Sequence, residues 1–151
     1  MGLYMDDAGE WVGFWIGGDD EPRFEVTHLG ATGIPEEGWH RFLVEAWVSG
    51  FTARFECETR LDVFASFRDE VLAMHKTLRG AAKLEFTEPE VRVHGEMIDR
   101  LGHVLWQIQL RHPLRWSSST LSFEIPDDQT MLWNVVAKIN ILLDVANYRP
   151  A

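Results

Sequence analysis

The most regular stretch of the chain is an alternation of apolar and polar positions. Phe42, Val44, Ala46 and Val48 alternate with Leu43, Glu45 and Trp47. After Ser49-Gly50, Phe51, Ala53, Phe55 and Cys57 alternate with Thr52, Arg54, Glu56 and Glu58. A period of two turns one face of a strand to a core and the other to water. A two-residue Ser-Gly turn predicts Val48 opposite Phe51, which sets Val44 against Phe55 and Glu45 against Arg54. Apolar then meets apolar and charge meets countercharge, so the register supports itself. Upstream, residues 11–16 and 24–26 read as strands. Gly17-Gly18-Asp19-Asp20-Glu21-Pro22 forms the turn between them, and residues 30–38, with Pro35, form a loop.

The period then changes. Phe64, Phe67, Val71, Met74 and Leu78 fall three and four apart, a helical stripe. Thr59 is the expected N-cap, with Asp62 three residues on, and Gly80 is the expected residue just past the helix end, after Lys76 and Arg79.

A second group of strands follows. Ala82, Leu84 and Phe86 alternate with Lys83 and Glu85 before a Glu88-Pro89 turn. Val91, Val93, Gly95 and Met97 continue the pattern up to a turn over residues 99–102. Val104, Trp106, Ile108 and Leu110 share a face until Pro113, and Leu121, Phe123 and Ile125 point inward from residues 117–125. Asp127 or Asp128 caps a last helix whose stripe is Leu132, Val135, Val136, Ile139, Leu142, Leu143 and Ala146. Strands joined by short turns make antiparallel meanders, not parallel crossovers. The expectation is an α+β fold of about eight strands with two helices on the apolar face. The order is strands, helix, strands, helix, in a single domain over residues 1–151. Whether the meanders join into one sheet is left open by the pattern.

Composition narrows the function classes. The net charge is −10, and residues 1–58 carry twelve acids against Arg23, Arg41 and Arg54, a net −9. Such a field repels nucleic acid and anionic membranes and attracts basic partners, although acidity for solubility alone is an equal alternative. No apolar run reaches the roughly 20 residues of a membrane span, and residues 1–7 lack the basic and apolar regions of a secretion signal. With one cysteine, Cys57, no intramolecular disulfide can form, and a cytoplasmic location is expected.

Catalytic and metal chemistry find little support. His94, His103 and His112 recur at intervals of nine, but a turn over residues 99–102 puts His94 well along one strand and His103 at the hairpin end. That is too far for shared metal bonds of about 2.1 Å. Ser117-Ser118-Ser119-Thr120 has no neighbouring His or Asp, and Cys57 lies on the core parity with no cation beside it. Gly17-Gly18 runs into three acids and opens no helix, so it does not cradle phosphate. No enzyme activity, cofactor or metal is expected.

Binding features are clearer. Trp106 shares parity with the core, whereas Trp47 sits on the polar parity between Glu45 and Ser49. It is either an interface anchor or a ring covered by a loop. Partner contacts are therefore expected at Asp19, Asp20 and Glu21 and on the outward side of the hairpin at Glu45, Trp47, Arg54 and Glu56. Trp133, Ala137, Ile141 and Val145 interrupt the wet face of the last helix. Burial under flanking loops is the favoured explanation, and a homodimer or partner contact the alternative.

A spaced set of residues carries a resemblance. It comprises Gly50-Phe51, Leu78-x-Gly80-x-Ala82, Glu88, Gly102-His103-Val104, Leu121-x-Phe123, Asp128-Gln129-Thr130-x-Leu132 and Pro150. Over roughly residues 40–150 the chain resembles the WapI-type immunity proteins, small bacterial proteins associated with polymorphic contact-dependent toxins. The resemblance implies an inhibitor that sits on its toxin and blocks it without doing chemistry. The charge agrees independently, because nucleic-acid-cleaving toxins are usually basic and an acidic inhibitor can mimic the phosphate backbone. The expected partner is a basic, nuclease-type toxin, with neither nucleic acid nor membrane bound. Other classes are a small-molecule-binding or enzymatic domain, whose pocket would need inward polar residues, and a structural homodimer subunit.

Overall fold

The computed structural model describes residues 11–33, 38–88, 90–113 and 117–150. They form two antiparallel four-stranded sheets. The first runs β1 (Gly13–Gly17), β2 (Arg23–Ala31), β3 (Trp39–Val48) and β4 (Phe51–Arg60). The second runs β5 (Ala81–Glu85), β6 (Val91–Met97), β7 (His103–Pro113) and β8 (Ser118–Asp128). Helix α1 (Asp62–Thr77) follows the first sheet and α2 (Gln129–Val145) the second, so the α+β class and element order are as the patterning predicts. The two meanders stay separate sheets. The β3–β4 register pairs Val48 with Phe51, Val44 with Phe55 and Glu45 with Arg54.

Helix α1 ties the halves together. Its Phe64 ring lies 4.8 Å from Phe42 and 6.0 Å from Phe14 in the first sheet and 5.5 Å from Phe86 just beyond β5, while Phe67 reaches Trp106 at 6.0 Å. Helix α2 packs on α1 and on β1. One continuous core results, with Phe14, Phe24, Phe42, Phe64, Phe67 and Trp106 fully buried. Each such side chain contributes roughly 1.5–3 kcal/mol by leaving water. Gly95 lies opposite Trp106 in the β6–β7 pair, and a Cβ there would come within 2.3 Å of the indole ring. The inner face of the first sheet ends in two histidines that hydrogen-bond to each other, His28 Nε2 to His40 Nδ1 at 2.8 Å, beside a bulge between His28 and Gly30.

Three local expectations are corrected. Thr59 does not cap α1. It remains in β4, buried, where its hydroxyl accepts the Thr87 N–H at 3.1 Å, and Leu61 precedes the helix with no side-chain cap. The left-handed residue that ends α1 is Leu78 (φ 56°), two residues before Gly80. On α2, no loop among the described residues buries the apolar stripe: Trp133, Ile141 and Val145 are 54%, 51% and 48% exposed. Asp128 caps α2 as expected, accepting the Thr130 N–H at 2.8 Å.

Candidate protein-docking surface

The outer face of the first sheet holds the residues the hairpin pattern turns away from the core. Strand registers arrange them in rows. One row runs Gly17, Arg23, Trp47, Thr52; the next runs Trp15, Glu25, Glu45, Arg54; the third runs Gly13, Thr27, Leu43, Glu56. In an antiparallel meander the β1–β2 and β3–β4 turns fall at the same end, so the exposed Asp19, Asp20 and Glu21 lie beside the first row. Glu45, Trp47, Arg54 and Glu56 therefore share one face of the sheet, and Asp19, Asp20 and Glu21 lie on the turn at its end.

Their environments differ. Asp19, Asp20, Glu21, Arg54 and Glu56 are exposed, and Trp47 is half-buried. Glu45 is not a surface residue. It is 3% exposed, and Glu25, its register partner on β2, is 1% exposed. Alternation predicts which way a side chain points but not what lies over it, and Glu45 is the one expected contact residue closed off from solvent. Arg23 donates to Glu25 Oε1 at 2.7 Å, and Arg54 stands 3.7 Å from Glu45 Oε2. Among the described residues, Glu25 Oε2 and Glu45 Oε1 have no hydrogen-bond partner. Burial pushes the Glu45 carboxyl up from its ordinary range; Arg54 opposes this and Glu25 adds to it.

Tryptophans frame the pair. The Arg23 guanidinium sits 4.9 Å over the Trp15 ring and the Lys138 ammonium 5.5 Å from it, which links the sheet to α2. Trp11 lies 5.6 Å from Trp15 and donates its indole N–H to Thr27 Oγ1 at 3.1 Å. Neither tryptophan was singled out by alternation, because residues 11–16 mix apolar residues on both faces.

The other candidate groups lie apart. His94 sits mid-strand opposite Gln107, His103 begins β7 with its ring 2.5 Å from Asp99, and His112 packs 5.4 Å from Phe55 at the other end of β7. Cys57 is buried, and burial followed by the nearby Glu90 carboxylate pushes its thiol up, away from thiolate character. The second sheet's outer face holds a shallow trough of about 680 Å³ lined by residues including Lys83, Glu85, Arg92 and Gln107. Within it Arg92 lies 3.4 Å from Glu85.

No helix among the described residues is long and apolar enough to cross a membrane. The chain belongs to the Immunity protein WapI-like family, whose model matches residues 4–144. The match reaches well upstream of residue 40, so it takes in β1, β2 and the acidic turn that the spaced residues left outside. No curated protein and no solved structure matches the chain.

Proposed function

We propose that this protein is a cytoplasmic immunity protein that neutralises a basic, nuclease-type toxin by binding it directly, with no reaction of its own. The family match over residues 4–144 carries the reading. The finer terms rest on charge and geometry. The net −9 of residues 1–58 includes Asp19, Asp20 and Glu21, exposed on a turn at the same end of the sheet as Trp47. Exposed acids steer a basic partner into encounter, while a half-buried indole at the edge of that field holds it. Arg54 and Glu56 border the contact, and Glu45 acts from beneath it by fixing Arg54.

The test is co-expression and binding kinetics with the product of the neighbouring toxin gene. Association should slow as salt rises, because the Debye length falls to about 8 Å at 0.15 M. Neutralising Asp19, Asp20 and Glu21 together should slow association roughly tenfold at low salt. Trp47→Ala should instead speed dissociation by about tenfold or more. Failure of the wild-type chain to protect cells from that toxin would sink the reading. Salt-independent association would leave the acids as a solubility device.

A further inference from the structure

Strand β4 is the outermost strand of its sheet, and the order of main-chain bonds along it follows from the hairpin. The residues flanking a two-residue turn, Val48 and Phe51, exchange both main-chain hydrogen bonds, and bonded pairs alternate from there. The N–H and C=O groups of Thr52, Arg54 and Glu56 therefore point away from β3. Among the described residues no strand pairs with that edge. Farther along β4, the Thr59 hydroxyl takes up the Thr87 N–H.

The same stretch borders an apolar groove of about 350 Å³. Phe51, Ala53 and Phe55 form one wall, and Leu110, His112 and Leu121 of the second sheet form the other. Phe51 is 64% exposed at its mouth, and the Phe55–His112 contact closes one end. An unpaired edge exposes a template for another strand, which proteins ordinarily blunt with charge, proline or a covering element. Here the edge runs beside a groove that would accept every second side chain of the strand that pairs with it.

We propose that the stretch from Phe51 to Glu56 accepts an extended segment of the partner protein as a fifth strand beside β4. Alternate apolar side chains of that segment enter the groove between the sheets, and the intervening polar ones lie beside Thr52, Arg54 and Glu56. Backbone pairing supplies affinity, and the groove selects an alternating apolar–polar sequence. That the segment belongs to a toxin rests on the function proposed above; that the edge takes a strand does not.

Two arms separate these claims. In the first, the isotope-labelled protein is titrated with the peptide Lys-Val-Thr-Val-Thr-Val-Thr-Lys and with a version N-methylated at alternate residues. The unmodified peptide should shift and protect the amides of Thr52, Arg54 and Glu56, and methylation should weaken it at least tenfold. Equal binding of both peptides, or no binding, overturns strand addition. In the second arm, Thr52→Pro removes one outward N–H and Thr52→Ala keeps it. Toxin affinity should fall at least tenfold for the first and less than twofold for the second. Ala53→Lys places a charge at the groove without altering the backbone and should give the same loss even if the proline variant does not fold. Equal affinity of Ala53→Lys and wild type overturns the toxin segment as occupant while leaving the immunity reading intact. A dimer that Thr52→Pro abolishes would make a second copy the occupant and overturn the proposal equally. If wild type binds no toxin, the functional reading fails and the peptide arm still decides the edge.

Discussion

Replacing Gly95 with alanine adds one methyl group to the middle of β6, where the Trp106 ring of β7 already lies against the backbone. A Cβ there would meet ring carbons at 2.3 and 2.4 Å, against about 3.5–4.0 Å for a relaxed carbon contact. The ring or the strand must therefore move by more than ~1 Å. Trp106 is fully buried and rests on Phe67 of α1, so the movement is passed into the helix. Overpacking of this kind costs about 1–3 kcal/mol, offset by roughly 0.5–1 kcal/mol because alanine loses less backbone entropy than glycine. The net loss is then roughly 0–2.5 kcal/mol, a Tm lower by up to ~10 °C at this chain length. Urea titration and thermal melts followed by far-ultraviolet circular dichroism read it directly. Trp106→Leu alone should also destabilise, by ~2–4 kcal/mol, through the space it leaves. The double variant should be more stable than the sum of the two predicts, because the methyl then fills vacated space. A Gly95→Ala protein more stable than wild type, or strictly additive changes in the double variant, would refute the close approach.

Two further predictions concern titrating groups. Burial, then the second ring, holds His28 down to about 4, and burial lowers His40. Both are favoured neutral, so the stability they contribute is complete above the unfolded histidine value of about 6.5 and is lost as pH falls toward 4. The fall in Tm across that interval should shrink in His28→Gln, and an unchanged pH profile would refute the pairing. Glu45 carries the opposite sign, because its raised carboxyl makes ionisation costly above its folded pKa. Glu45→Gln should therefore raise the Tm at pH 7, with little lost from the exposed Arg54, and a lower Tm would show the ion pair to outweigh the burial.

Most of the fold was legible because the sequence repeats its instructions at several levels. Between β3 and β4 the alternation, the Ser-Gly turn and the Glu45–Arg54 complement all select one register. The misreadings fall where local chemistry is ambiguous. Thr59 has the composition of a cap, but a distant backbone donor, Thr87, claims its hydroxyl and keeps it in the strand. Gly80 does have a positive φ (94°), but the helix has already ended at Leu78, the last residue whose N–H reaches back to the helix, to Met74 O at 2.9 Å. The outward direction of Trp47, Arg54 and Glu56 was legible from parity, and the exposure of Asp19, Asp20 and Glu21 from their place in a turn. Burial of Glu45 was not, because it depends on what covers a sheet face. The groove beside β4 was invisible for a related reason: its far wall lies more than fifty residues downstream, on β7 and β8.

The packing of α2 on β1 has a consequence in time. Phe14 and Ile16 belong to β1, and part of their cover is α2, more than a hundred residues downstream. At synthesis rates of about 5–20 residues per second, roughly 6–25 s pass between completion of β1 and completion of α2. Throughout that interval the nascent first sheet lacks one of its packing partners, and contacts of such wide sequence separation form late and slowly. Completion of the core therefore lags translation of the first sheet. For the function proposed above, a standing pool of folded protein matters more than a rapid burst of new synthesis.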